Sequence, residues 1–247
     1  MTVPIHRFCY LLIVALSAPS ASSAGLIVNG DFELGNLNGW TVVTQTGSGN
    51  FFAESMVAAP LSGLPTVGPS SGAWYAVSDQ NPPGDAYALL QSFTIPLAAT
   101  QVLLNYDLFI NDASGVGPLD AGGLDFTLAN NQHARVDILT SGAAGLSTSG
   151  GDVVANFYLG VDPFATNPNP YTINSFDITG IVTPGSTYQL RFAGVNNIAP
   201  LNMGLDNIDI VVASAAVPEP SSLVILASGV AWFGVRRMRT VKIALSV

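Results

Sequence analysis

Leu104-Asn-Tyr-Asp-Leu-Phe-Ile-Asn111 decides the fold. Leu104, Tyr106, Leu108 and Ile110 fall on one side of an extended chain, and Asn105, Asp107 and Asn111 on the other. A period of two is the signature of a β-strand with one buried face. Thr187-Tyr-Gln-Leu-Arg-Phe192 repeats it, with Tyr188, Leu190 and Phe192 opposed to Gln189 and Arg191. Outward from these, similar stretches are predicted as strands at 40–45, 51–57, 73–78, 87–95, 101–110, 134–140, 153–159, 187–195 and 205–212. Gly, Pro, Asn and Ser break the chain between them, and no apolar helical period runs past about two turns. The expectation is an all-β, antiparallel β-sandwich over residues 25–216, without internal repeats.

Charge narrows what such a domain can do. The 247 residues carry a formal charge of −9. Residues 25–216 hold fifteen of the sixteen acidic residues, all but Glu219, and only Arg135 and Arg191, for −13. A surface of that sign repels phosphate backbones and anionic membrane surfaces, which excludes nucleic acid as a partner. Divalent cations and neutral, hydroxyl-rich ligands remain open.

The ends read as targeting segments. Residues 1–24 have a weakly basic start closed by His6 and Arg7, an apolar core from Phe8 to Leu16, and small residues from Ser20 to Ala24. This predicts a signal peptide cut by signal peptidase before Gly25. The single cysteine, Cys9, lies within it, so the mature chain has neither disulfides nor thiolate sites. At the other end stand Pro218-Glu219-Pro220, an apolar run from Leu223 to Val235, and Arg236, Arg237 and Arg239. Residues 217–240 resemble the PEP-CTERM sorting signal of exported proteins in Gram-negative bacteria that make exopolysaccharide. The resemblance implies recognition and processing by exosortase. It also implies passage across the inner membrane, a transient transmembrane helix, and delivery to the cell surface or extracellular matrix. The prolines keep the triplet free of helix, and the arginines hold the helix end on the cytoplasmic side. Residues 241–247 extend past the basic cluster, where such signals usually stop.

The domain carries a second resemblance. Asn29-Gly-Asp-Phe-Glu-Leu-Gly35 with Asn38-Gly-Trp40 is similar to the opening of galactose-binding-like jelly rolls. Leu89–Pro96, Thr187–Phe192 and Gly204–Ile210 resemble later strands of that family. The resemblance implies a structural calcium where the first and last strands meet, with Asp31, Glu33 and Asp206 as ligand candidates. By alternation Asp206 shares a face with Ile208 and Ile210, where an unpaired carboxylate is costly. The alternative is a carboxylate capping loop backbone. A weaker ion site is conceivable at Asp112, Asp120 and Asp125.

For catalysis the residues offer little. Gly68-Pro-Ser70-Ser-Gly72 matches a serine-hydrolase motif in letters, but it lies in a Pro/Gly/Ser loop, and His133 is the one histidine outside the signal peptide. A glycosidase would need a positioned carboxylate pair. The reading is an exported, non-enzymatic surface or matrix protein associated with exopolysaccharide. The alternatives are a carbohydrate-binding module, with Trp40, Trp74, Tyr75, Tyr87 and Tyr171 available for stacking, and a secreted glycoside hydrolase.

Overall fold

The computed structural model describes residues 23–45, 49–115, 120, 123–127, 130–160 and 167–214. The sorting signal and all of the leader before Ser23 lie outside them. Residues 23–215 form one compact unit. Its described residues form eleven strands: β1 Ser23–Gly25, β2 Thr41–Thr44, β3 Gly49–Glu54, β4 Tyr75–Gln80, β5 Asp85–Thr94, β6 Ala99–Asp112, β7 Gln132–Thr140, β8 Val153–Gly160, β9 Thr172–Asp177, β10 Thr187–Asn196 and β11 Leu201–Ser214. They make two antiparallel sheets, ordered β3-β4-β11-β6-β9, with β1 also on β11, and β2-β5-β10-β7-β8. From β4 onward the chain passes repeatedly between sheets, so sequence neighbours are seldom sheet neighbours. This is the antiparallel sandwich the alternation predicts, with the jelly-roll course the resemblance implies.

The core lies between the inner faces. Leu104, Tyr106, Leu108 and Ile110 from β6 meet Leu190 and Phe192 from β10, with Phe32, Trp40, Tyr87 and Leu89. Trp40 is buried at 5.8 Å from the Phe32 ring and 6.1 Å from that of Phe192. Burial of these apolar surfaces, at about 25 cal/mol per Å², must carry the fold, because Cys9 lies in the expected leader.

The outer faces are not left to solvent. Residues 55–74 cross the outside of the first sheet, where Tyr75, Val77 and Phe109 form a second apolar cluster with Val67 and Tyr171. Over the second sheet, Leu124, Ala143 and Leu146 pack on Ala88, Leu90, Ala193 and Val195. Polar residues on those strands are therefore buried as well, including Asp107, Asp137, Arg191 and Asp206.

Two differences from the sequence reading matter. β9 was absent from the predicted strands; it is a short edge strand with mostly exposed residues and no apolar run. β11 contains a bulge between Asp206 and Asp209, with Asn207 at φ 50°. The extra residue resets the alternation. Leu205 and Ile208 both face the core, so Asp206 points to the outer face with Gly204 and Asn202, not to the side of Ile208 and Ile210. β1 also bears on processing: a cut before Gly25 removes two of its three residues and leaves the Leu26 N–H donating to the Ile210 carbonyl.

Candidate functional site

Around the bulge, the opening segment and the last strand come together. Asn29 takes a left-handed backbone (φ 52°), and its amide donates to the carbonyls of Asn36 (2.8 Å) and Asn38 (3.2 Å). The Trp40 indole N–H donates to the Asn29 carbonyl at 3.0 Å. The spacing from Asn29 to Trp40 is thus the spacing of a closed loop. Gly30 lies so near β11 that a Cβ there would run into the Ile208 carbonyl, and the Ile208 N–H donates to the Gly30 carbonyl at 2.9 Å.

The carboxylates expected to bind calcium do not converge. Glu33 Oε1 accepts the N–H groups of Ala73 (2.8 Å) and Trp74 (2.9 Å). Asp206 Oδ2 accepts those of Ser70 (2.8 Å) and Ser71 (3.0 Å), and its Oδ1 that of Asn207 (2.7 Å). Asp31 Oδ1 accepts the Glu33 N–H at 3.3 Å. Two acids from different parts of the chain thereby hold adjacent turns of the 70–74 loop. Among the described residues, no three His, Cys, Asp or Glu side chains are grouped to hold a metal. The geometry of Glu33 and Asp206 fits the backbone-cap reading, and the proposed trio does not fit calcium. Asp112 and Asp120 are likewise occupied, with Ser114 and Gly123, and Asp125 with Thr127 and Gln45.

What converges instead is a cleft of about 390 Å³ between the opening segment and the bulge, lined by Gly25, Ile27, Asn29, Asp31, Asn207 and Asp209 among others. Burial raises the Asp209 carboxyl above the usual range, opposed by the Ile210 N–H. Asn29 Oδ1 is buried there and finds no hydrogen-bond partner among the described residues. Asp209 was missed because the bulge at Asn207 shifts the register of β11, and nothing in the sequence pattern announces it.

Behind the cleft, Asp206 and Asp107 are cross-strand partners. Asp107 Oδ2 accepts from the Ser70 hydroxyl (2.6 Å) and the Asn207 amide (2.8 Å). Burial pushes Asp206 up to about 6, against the N–H groups of Ser71, Asn207 and Ser70, with Asp107 adding to the rise. Ser70, the serine of the hydrolase-like motif, thus faces a carboxylate, while His133 sits on β7 of the other sheet with Nδ1 3.0 Å from Asn131 Oδ1. An acid whose folded pKa is raised holds its proton more tightly than the unfolded chain does. Stability therefore rises as pH falls from above 6 toward 4. The melting temperature is expected to increase between pH 7 and pH 4.5, with a smaller increase in Asp206→Asn. Equal pH profiles for the two proteins would contradict this.

The aromatic candidates are all engaged in the sandwich. Trp40, Tyr75 and Tyr87 are buried, and Trp74 covers Gly35. The Tyr171 hydroxyl donates to the Gly68 carbonyl at 3.0 Å, and its ring meets Phe109 edge-on at 5.0 Å. Tyr171 anchors the 55–74 loop. No Trp, Tyr or Phe among the described residues is fully exposed.

No protein-family model matches the chain, and no curated protein does. Solved structures with a similar course include TmCBM61, described in complex with β-1,4-galactotriose, at TM-score 0.46 and 9% identity, covering 76% of this chain and 97% of that one. A family 11 carbohydrate-binding module from Clostridium thermocellum, in complex with a β-1,3-1,4-mixed-linked tetrasaccharide, gives 0.38 and 10%, covering 81% and 99%. The K3 cleaved adhesin domain of Lys-gingipain from Porphyromonas gingivalis gives 0.45 and 16%, covering 77% and 100%.

Proposed function

We propose that this chain is an exported, non-catalytic surface or matrix protein. Its sandwich is carried across the inner membrane behind the leader, held by the C-terminal helix, and released by exosortase into an exopolysaccharide-rich exterior. The observation that supports it most is the order of parts: the sandwich ends at Ser214, and Pro218-Glu219-Pro220, the apolar run and Arg236, Arg237 and Arg239 follow at once. A non-catalytic domain agrees with carboxylates that serve as backbone clamps. Replacing Pro218-Glu219-Pro220 by three alanines is expected to leave an unprocessed, membrane-retained chain in a host with exosortase. Release at the wild-type level would end the sorting assignment.

Within that reading, the cleft is where a calcium ion would be held, by Asp31 and Asp209, with Asn29 Oδ1 as a neutral oxygen; bound there, the ion supplies positive charge to a domain that lacks it. Millimolar calcium is expected to raise the melting temperature in wild type and in Asp206→Asn but not in Asp209→Asn. Identical curves in calcium and in EDTA would remove the ion. A second reading, glycan binding, is favoured by the same cleft, whose amide and carboxylate acceptors suit sugar hydroxyls. Saturable binding on a glycan array that is lost in Asn29→Ala would decide for it.

A further inference from the structure

The chain contains two Asn-Gly pairs, Asn29-Gly30 and Asn38-Gly39, and both lie in the loop that the Trp40 indole closes. In such a pair the next residue's backbone nitrogen can reach the side-chain amide carbon, because glycine has no Cβ to obstruct the approach. The fold puts the two pairs in opposite surroundings.

Asn38 and Gly39 are exposed, at the centre of a turn closed by the Trp40 N–H donating to the Leu37 carbonyl at 3.0 Å. Gly39, at φ 93°, occupies the position of a type II turn that demands glycine. Asn36 Oδ1 accepts the Asn38 N–H at 2.9 Å and fixes the entry to the turn. The Asn38 side chain and the Gly39 N–H make no hydrogen bond among the described residues. Asn29 is pinned instead. Its Nδ2, which would have to leave as ammonia, donates to the carbonyls of Asn36 and Asn38. Its Oδ1, where addition to the amide would place negative charge, is buried with no donor among the described residues, and a buried charge without a partner is costly. Gly30, the nucleophile of that pair, is itself buried against the Ile208 carbonyl.

We propose that Asn38 is a site of spontaneous deamidation, with water as the co-reactant, and that the fold protects Asn29 from the same reaction. The Gly39 nitrogen gives up its proton and bonds to Asn38 Cγ; the Cγ–Nδ2 bond breaks, and ammonia leaves carrying a proton. Water then opens the cyclic imide. Attack at Cγ gives aspartate, and attack at the main-chain carbonyl carbon gives isoaspartate, with the chain now running through the side-chain methylene. In isoaspartate the Asn38 carbonyl that accepts the Asn29 amide becomes a free carboxylate on a lengthened turn. Asn29 lines the cleft, so the reaction alters the cleft wall as the molecule ages. The site is independent of how the chain is sorted.

The full chain, purified in mild detergent, is incubated folded at mildly alkaline pH and, in parallel, unfolded in guanidinium chloride. Peptide mass spectrometry with electron-transfer fragmentation assigns each amide-to-acid conversion to its residue and separates isoaspartate from aspartate. The expected result in the folded protein is conversion at Asn38 at least tenfold faster than at Asn29, with isoaspartate among the products. In guanidinium the two rates are expected to be similar. Asn38→Gln, which must close a larger ring, is expected to lose the early conversion of the folded protein. Equal rates at the two positions in the folded protein, or no conversion at Asn38, overturn the proposal. A tenfold preference that persists in guanidinium belongs to the local sequence and overturns protection by the fold.

Discussion

Asp137→Ala is expected to destabilise the sandwich by about 3–5 kcal/mol, enough to unfold a marginal domain. Asp137 is fully buried on the outer face of the second sheet, and the domain's only two cations converge on it. Arg135 donates to both of its oxygens, at 2.8 and 3.0 Å, and Arg191 to Oδ2, at 3.0 and 2.6 Å. Burial works against ionisation, but the two arginines and the Asn156 amide outweigh it and hold the carboxyl below its usual range. Arg191 also donates to the carbonyls of Gly145 and Ser147, at 3.0 and 2.6 Å, which fastens the 141–152 loop over the sheet. Removing the carboxylate leaves two guanidinium groups facing each other in a buried site, a far larger penalty than losing a surface ion pair. Chemical denaturation measures the loss. A midpoint within about 0.5 kcal/mol of wild type would show that the cluster is solvated.

Gly30→Ala is expected to cost about 3 kcal/mol and to deform the cleft. Its Cβ would meet the Ile208 carbonyl, which is backbone in the bulge of β11 and cannot rotate away as a side chain can. Relief requires parting the opening segment from β11, which breaks the Ile208 N–H bond to the Gly30 carbonyl and shifts Asp31 from Asp209. Loss of stability and of any calcium response should therefore appear together. An alanine variant with wild-type melting would mean that the join is loose.

Much of this was legible in the sequence. Alternation placed Leu104, Tyr106, Leu108 and Ile110 on the core side because one face of β6 meets the opposite sheet. The same rule misplaced Asp206, since a bulge adds a residue that the pattern does not announce. Asp107 and Arg191 were assigned correctly to the outer faces, but their burial could not be foreseen: it comes from loops 55–74 and 141–152 folding back, and loop paths leave no periodic trace. Tyr171 looked loop-borne and available for the same reason. β9 was hidden by its composition, because Thr-Ile-Asn-Ser-Phe-Asp at a sheet edge needs no apolar face. The opening motif was informative, since Asn29, Gly30 and Trp40 each answer a specific backbone demand and Asn29 and Asp31 line the cleft, whereas Asp209 across from them carried no signal.

The intact mass of the protein released from an exosortase-bearing host tests the central claim most directly. The released chain is expected to begin near Gly25 and to lack residues 223–247, with the break at or beside Pro218-Glu219-Pro220. A released protein that retains Arg236, Arg237 and Arg239 would contradict it.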